Sequence, residues 1–181
     1  MTASQDQTET LHSNNLDAGA FLASSWCRAD WQRLWLGTQT RPWRTLAVIA
    51  GDGDTSSFEV ASLITGLGLQ HGQPTQLADV RNVSLNRVDS IIRLAGEVIV
   101  AGDRIVFAAR SIAENLATIP IARFADCVLL CASLGSSSLA LIEETVAQVG
   151  RDRFLGSVLL KNPGEAVVTV TPESQRLEMA R

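Results

Sequence analysis

The sequence predicts an α/β fold: a three-layer α/β/α arrangement around a mostly parallel sheet. Three observations predict it. Short apolar, β-branched runs alternate with stretches of helical period along most of the chain, the pattern of strands joined by crossover helices. The run Leu46-Ala-Val-Ile-Ala50 meets two glycines one residue apart, Gly51 and Gly53. A Thr55-Ser-Ser57 cluster then opens a helical pattern in Phe58, Ala61, Ile64 and Thr65. The run from Cys127 to Ala132 is apolar throughout, as a strand covered on both faces requires.

Residues 1 to 15 are rich in Thr, Ser, Gln and Asn and are expected to form a disordered lead. A single domain is expected over residues 16 to 171, with 172 to 181 as a polar tail. Residues 17 to 39 carry a helical pattern with Phe21, Leu22, Trp26, Trp31, Leu34 and Trp35, and Pro42 ends it. Such a Trp-rich face packs on the domain or meets another subunit. Trp43 to Ala50 reads as the first strand. Ser57 to Gln70 fits a helix that Gly72 and Pro74 stop before a short strand at Thr75 to Val80. Leu85 to Ala95 fits a second helix, with Val88, Ile91, Ile92 and Ala95 on one side. Glu97 to Ala101 and Arg104 to Ala109 both read as strands, and Gly102-Asp103 between them suits a hairpin. Ile112 to Phe124 reads as a helix interrupted by Pro120. Gly135-Ser-Ser-Ser138 is expected to cap a helix from Leu139 to Val149, and Phe154 to Lys161 and Val167 to Val170 complete the strands.

Composition narrows the function. A net charge of −4 argues against nucleic acid as a partner. No apolar run approaches the length of a bilayer span, and the polar lead lacks the basic and apolar regions of a signal peptide, so the chain reads as cytoplasmic. The cysteine count, 3, is odd and makes no disulfide framework. Cys127 and Cys131 fall in an apolar strand pattern and are expected in the core, so no metal site is expected. His12 and His71 stand in the lead and at a helix end, where neither makes a catalytic base or a ligand.

Strand, glycine loop, hydroxyl cluster and helix together have the outline of a phosphate-binding P-loop. The P-loop form requires a lysine before its Ser/Thr, and here Asp54 precedes Thr55. A carboxylate at that place repels the anion that a lysine holds. Asp52 and Asp54 are therefore metal ligands or, more simply, turn and cap residues; Thr55, Ser56 and Ser57 suit N-caps before magnesium. Asp79 and Arg81, closing the second strand, could touch a nucleotide or form a solvated pair. No base stands by to activate Ser136, Ser137 or Ser138. A dinucleotide enzyme would use Asp79 on a ribose, but the loop has Ser56 where that fingerprint has its third glycine.

Over about residues 28 to 162 the chain resembles the cytoplasmic domain of the bacterial tyrosine autokinases of capsule and exopolysaccharide export, relatives of the partition-type P-loop ATPases. Asp30-Trp31-Gln-Arg33-Leu is similar to the family's acidic-x-x-Arg oligomerisation helix, with Leu36 at the second arginine position. Gly51-Asp52-Gly53-Asp54-Thr55 stands where the family has Gly-Glu-Gly-Lys-Thr/Ser. Gln76-Leu-Ala-Asp79-Val-Arg81 resembles the second acidic motif, keeping its later Asp and its Arg. Ala125-Asp126-Cys-Val-Leu-Leu-Cys-Ala, through Gly156-Ser-Val-Leu-Leu-Lys-Asn162, looks like the late strand, Ser-rich helix start and final strand of the family.

The resemblance implies a P-loop NTPase-like fold with its chemistry removed. Asp54 replaces the phosphate lysine. Ala108, in Asp103-Arg-Ile-Val-Phe-Ala108-Ala109, stands where the family's magnesium-positioning aspartate falls, and a methyl group holds no cation. The chain also has no tyrosine to phosphorylate. The expected function is a non-catalytic, kinase-like or ATPase-like regulator or scaffold of exopolysaccharide synthesis and export. It would bind a membrane-bound polysaccharide copolymerase, the chain-length determinant protein, or its own copies as a homo-oligomer. The helix carrying Asp30, Trp31, Arg33 and Trp35 would make the contact, at the inner membrane face, with no cofactor. The alternative is a working nucleotide-binding ATPase with a deviant loop that uses ATP with magnesium.

Overall fold

Strand β1 (Thr45–Ala50) is buried at every position, and the molecule is built outward from it. The computed structural model describes residues 29–53, 55–134, 137–160 and 166–167. The expectations for the lead, for Phe21, Leu22 and Trp26, for Asp54 and Ser136, and for residues 168–181 lie outside them. In chain order, α1 (Ala29–Thr38) precedes β1. There follow α2 (Ser57–Gln70), β2 (Thr75–Asp79), α3 (Val88–Val100), β3 (Arg104–Ala109), α4 (Thr118–Phe124), β4 (Cys127–Ser133), α5 (Leu139–Val149), β5 (Phe154–Leu160) and β6 (Ala166–Val167). The sheet order is β2-β3-β1-β4-β5-β6. The first five strands are parallel, and only β6 runs antiparallel, at the edge.

Alternation along β1 explains the layers. Leu46 and Val48 face one side, where Leu34, Trp35, Val60, Ile64 and Leu67 of α1 and α2 cover them. Ala47 and Ile49 face the other, against Val88 and Ala95 of α3 and Ile121 and Ala122 of α4. This is the α/β/α fold that the sequence predicts, with a P-loop-like strand order. Each fully buried aliphatic side chain contributes roughly 2 kcal/mol of transfer free energy, so the two faces of β1 alone hold much of the core.

The hairpin expected at Gly102-Asp103 does not form. Val98, Ile99 and Val100 continue α3 instead, because Val88, Ile91, Ile92, Ala95, Val98 and Ile99 recur at helical spacing and all but Val88 and Ala95 are half-buried. Gly102 ends the helix with φ at +99°. The Asp103 N–H donates to Val98 O at 3.2 Å and the Gly102 N–H to Ile99 O at 3.0 Å, a Schellman closure. Gly72 ends α2 in the same way, through Gln73 to Gly68 O at 2.9 Å. The helix expected from Ile112 shortens to α4, which places Pro120 in the first turn, where its missing N–H costs nothing.

The tryptophans of α1 belong to the core. Trp31 and Trp35 are 8% and 3% exposed beneath α2, and the Trp35 ring stacks on His71 at 5.3 Å. Trp43 is also buried, and its indole N–H donates to Thr38 O at 2.9 Å. Of the residues assigned to a partner helix, Asp30 and Arg33 alone face outward, 3.4 Å apart.

Candidate functional site

β1 has α2 on one face of the sheet and its neighbour β3 has α4 on the other, so the connections diverge between them. A crevice opens at such a point beyond the carboxyl ends of the strands. Here it holds a cavity of about 230 Å³ lined by Gly53, Thr55, Ser56, Ser57, Arg81, Arg110 and Glu114, with Ala50 at its floor.

The loop after β1 is closed upon the protein itself. The Gly51 N–H donates to Cys131 O at 2.7 Å, so it is spent on β4. A Cβ at Gly51 would stand 3.0 Å from that carbonyl, which is why a glycine fits there. Asp52 accepts the Thr55 hydroxyl at 2.6 Å through one carboxylate oxygen and the Ser137 hydroxyl through the other. Ser137 in turn accepts the Ser133 N–H at 2.7 Å, and the Thr55 and Ser133 hydroxyls lie 3.0 Å apart. Ser137 therefore does not cap α5, as the serine cluster had suggested. Ser138 occupies that N-cap without a side-chain bond.

The remaining hydroxyls are structural too. Ser56 is the N-cap of α2 and accepts from Glu59 N at 3.4 Å, with the Ser-x-x-Glu spacing of a capping box. Ser57 donates to Ala109 O at 2.7 Å and ties the helix start to the end of β3.

Two arginines reach the cavity, and each has an acid. Arg81 grips Asp79 through Nε at 2.9 Å and Nη2 at 2.7 Å, and lies 4.5 Å over the Phe58 ring. Burial alone would raise the Asp79 pKa. Hydrogen bonds from the Arg81 side chain and backbone, with the Arg81 and Arg110 charges, overcome it and hold the carboxyl below its ordinary value. Asp79 correspondingly raises Arg81. Arg110 meets Glu114 at 3.3 Å, and Ser111 donates to the other Glu114 oxygen at 3.3 Å. Asn115 fixes the neighbouring turn by donating to the carbonyls of Arg81 at 3.1 Å and Val83 at 3.0 Å.

The cavity carries both signs of charge, with Arg81 and Arg110 on one side of the balance and Glu114 on the other. The Thr55 hydroxyl points its proton at Asp52, and Glu114 lies so close to Gly53 that a Cβ there would meet its Oε1 at 2.9 Å. A phosphate in the cavity would meet the Glu114 carboxylate beside the guanidinium groups of Arg81 and Arg110. Ala108 is wholly buried in the α1–α2 face of the core, in register with Val48 and Asp79.

Of the residues singled out in the sequence, Gly53, Thr55, Ser56 and Arg81 line this crevice, and Asp79 stands behind Arg81 as its ion-pair partner. Sequence reasoning missed Arg110, Glu114 and Ser133. The available signal was position: Arg110 directly follows an apolar strand run, and Glu114 stands four residues on. Among the described residues no group of three or more His, Cys, Asp or Glu is placed to hold a metal ion, and no helix is long and apolar enough to cross a membrane. Compared with known proteins, the chain matches no family model and no curated sequence.

Proposed function

We propose that this chain is a non-catalytic, P-loop-like regulator or scaffold of exopolysaccharide synthesis and export, acting by binding a membrane copolymerase or by self-association. The observation that carries the non-catalytic half is the Asp52 clasp. The hydroxyl of Thr55 and the Gly51 N–H are both engaged within the protein, and acids stand where charge neutralisation would be needed for phosphoryl transfer. The polysaccharide half rests on the motif resemblance and the P-loop-like strand order.

Titration with MgATP by calorimetry tests the first half. No heat of binding is expected at millimolar nucleotide, and hydrolysis that disappears on Asp54→Ala in purified protein would refute the reading. For the second half, loss of the gene product should alter polysaccharide length or yield, and an unaltered polymer removes it.

A second reading is favoured by Arg81 and Arg110, whose guanidinium groups line the cavity. In that reading they serve a nucleotide in place of the missing lysine. Binding of MgATP that weakens on Arg110→Ala distinguishes it from the first.

A further inference from the structure

Because the sheet is parallel, the strands β1 to β5 begin at one edge, and that amino edge is cationic. Arg41 and Arg44 precede β1 and Arg104 opens β3. Arg123 is in the last turn of α4, and Arg151 and Arg153 precede β5. The acids there are Asp103, Asp126 and Asp152, with Glu97 a turn back on α3. The ion pairs of the described residues, Asp30–Arg33, Asp79–Arg81 and Arg110–Glu114, include none of these six arginines. Elsewhere among the described residues the acids outnumber the arginines.

The arginines are held by neutral acceptors. Arg41 donates to Asp152 O at 2.9 Å, Arg44 to Gly102 O at 2.8 Å, Arg123 to Gln148 O at 2.7 Å and Arg153 to Ala125 O at 3.0 Å. Arg104 reaches Gln39 Oε1 at 3.3 Å. Carbonyls at helix ends offset part of the charge, and Arg41, Arg44, Arg123 and Arg151 remain exposed to solvent. Asp126 is engaged by the N–H groups of Arg44 at 2.8 Å and Thr45 at 2.9 Å. Between Pro42, Trp43, Arg44, Arg104 and Asp126 lies a recess of about 290 Å³, with the Arg104 guanidinium 4.7 Å over the Trp43 ring. Burial, and after it the neighbouring Arg44 charge, push the Arg104 pKa down.

Aliphatic side chains stand at the same edge. α1, α2 and α3 all end there, and they leave Leu36, Leu69 and Val100 exposed at 67%, 57% and 88%; the carboxyl edge exposes Leu85, Leu116, Leu134 and Leu139 as well, so it is the charge beside them that sets the amino edge apart. Pro42 is exposed beside Arg41. Outward cations with aliphatic tips between them suit a bilayer interface, where headgroups take the charge and the acyl boundary takes the tips.

We propose that the amino edge of the sheet docks on an anionic lipid surface, with the Asp52 crevice turned away from it. The proposal stands on this edge alone and does not depend on the regulator reading. The test is co-sedimentation of the full chain with phosphatidylcholine vesicles, with and without phosphatidylglycerol. Partition is expected only onto the anionic vesicles, weakening as salt is raised. Arg151→Gln should weaken it roughly fivefold, since each basic residue near such a surface is worth about that factor. Val100→Ser should weaken it too. Arg87→Gln, at the carboxyl edge, should leave it unchanged. Absence of partition onto phosphatidylglycerol, equal loss with Arg87→Gln, or binding of polyglutamate in place of vesicles would each overturn the proposal. Failure here leaves the nucleotide titration and the polymer phenotype untouched.

Discussion

Asp52 accepts a hydrogen bond from the Thr55 hydroxyl at 2.6 Å, and this contact turns the loop after β1 from an open cradle into a closed clasp. Through its other oxygen the same carboxylate takes Ser137, which follows β4, so one side chain ties two strand ends together. Asp52→Ala is expected to lower stability by about 1 to 3 kcal/mol, because it strips both hydroxyls of a charged acceptor. It should create no MgATP binding, since Glu114 still stands against Gly53. Urea unfolding and calorimetry on one preparation check both parts. Gain of nucleotide binding would mean that Asp52 alone blocks the site.

Two glycines of the helices separate packing from propensity. At Gly68 in α2 a Cβ would stand 3.0 Å from Thr75 Cβ, with the Thr75 hydroxyl nearer still, whereas Gly96 in α3 has nothing within 4 Å. Gly96→Ala is expected to stabilise by about 0.5 to 1 kcal/mol, the propensity gain alone. Gly68→Ala should destabilise by roughly 1 to 3 kcal/mol as α2 is pushed off β2. Thermal or urea denaturation shifting both variants in the same direction would contradict this packing.

The cysteines of β4 are expected to be inert in the folded protein. Burial pushes the thiols of both Cys127 and Cys131 up, most strongly for Cys131, which is fully enclosed. Thiolate is the reactive form, so neither is populated at neutral pH. Iodoacetamide at pH 8 followed by mass spectrometry should leave both unmodified in native protein and label both in guanidinium. Rapid native labelling of Cys131 would show that β4 is not covered as described.

Much of this architecture was legible because it is written in short-range signals. The Thr55-Ser-Ser57 cluster marked the start of α2, and Gly72 with Pro74 marked its end. The unbroken apolar run from Cys127 fitted a strand that has helices on both faces. The hairpin at Gly102 failed because Val98-Ile-Val100 satisfies both a strand's β-branched preference and a helix's spacing, and packing of Ala95 and Val98 against the sheet decides between them. The site was legible only in part. The loop, Asp79 and Arg81 are marked by position beside strand ends, but Glu114 opposite Gly53 and Ser137 on Asp52 are joined by the fold across long stretches of chain. The tryptophans of α1 show the limit of composition, since a Trp-rich helix face reads alike whether its cover is the same chain or another.

Asp79 and Arg81 make the acid limb of the stability curve testable. Folding depresses the Asp79 pKa below its ordinary 3.8, through the Arg81 bonds that outweigh burial. The folded state therefore keeps the negative charge at pH values where the unfolded chain takes up a proton. Stability from this pair is fully present above the unfolded value and is lost as pH falls through the folded one. With the Asp79 side chain 37% exposed, solvent screening keeps the contribution small. Asp79→Asn should thus be less stable than the parent at pH 7, and the gap in urea midpoint should narrow from about pH 4 downward. A gap that stays constant to pH 2.5 would place the loss in the hydrogen bonds themselves and not in the ionised carboxylate.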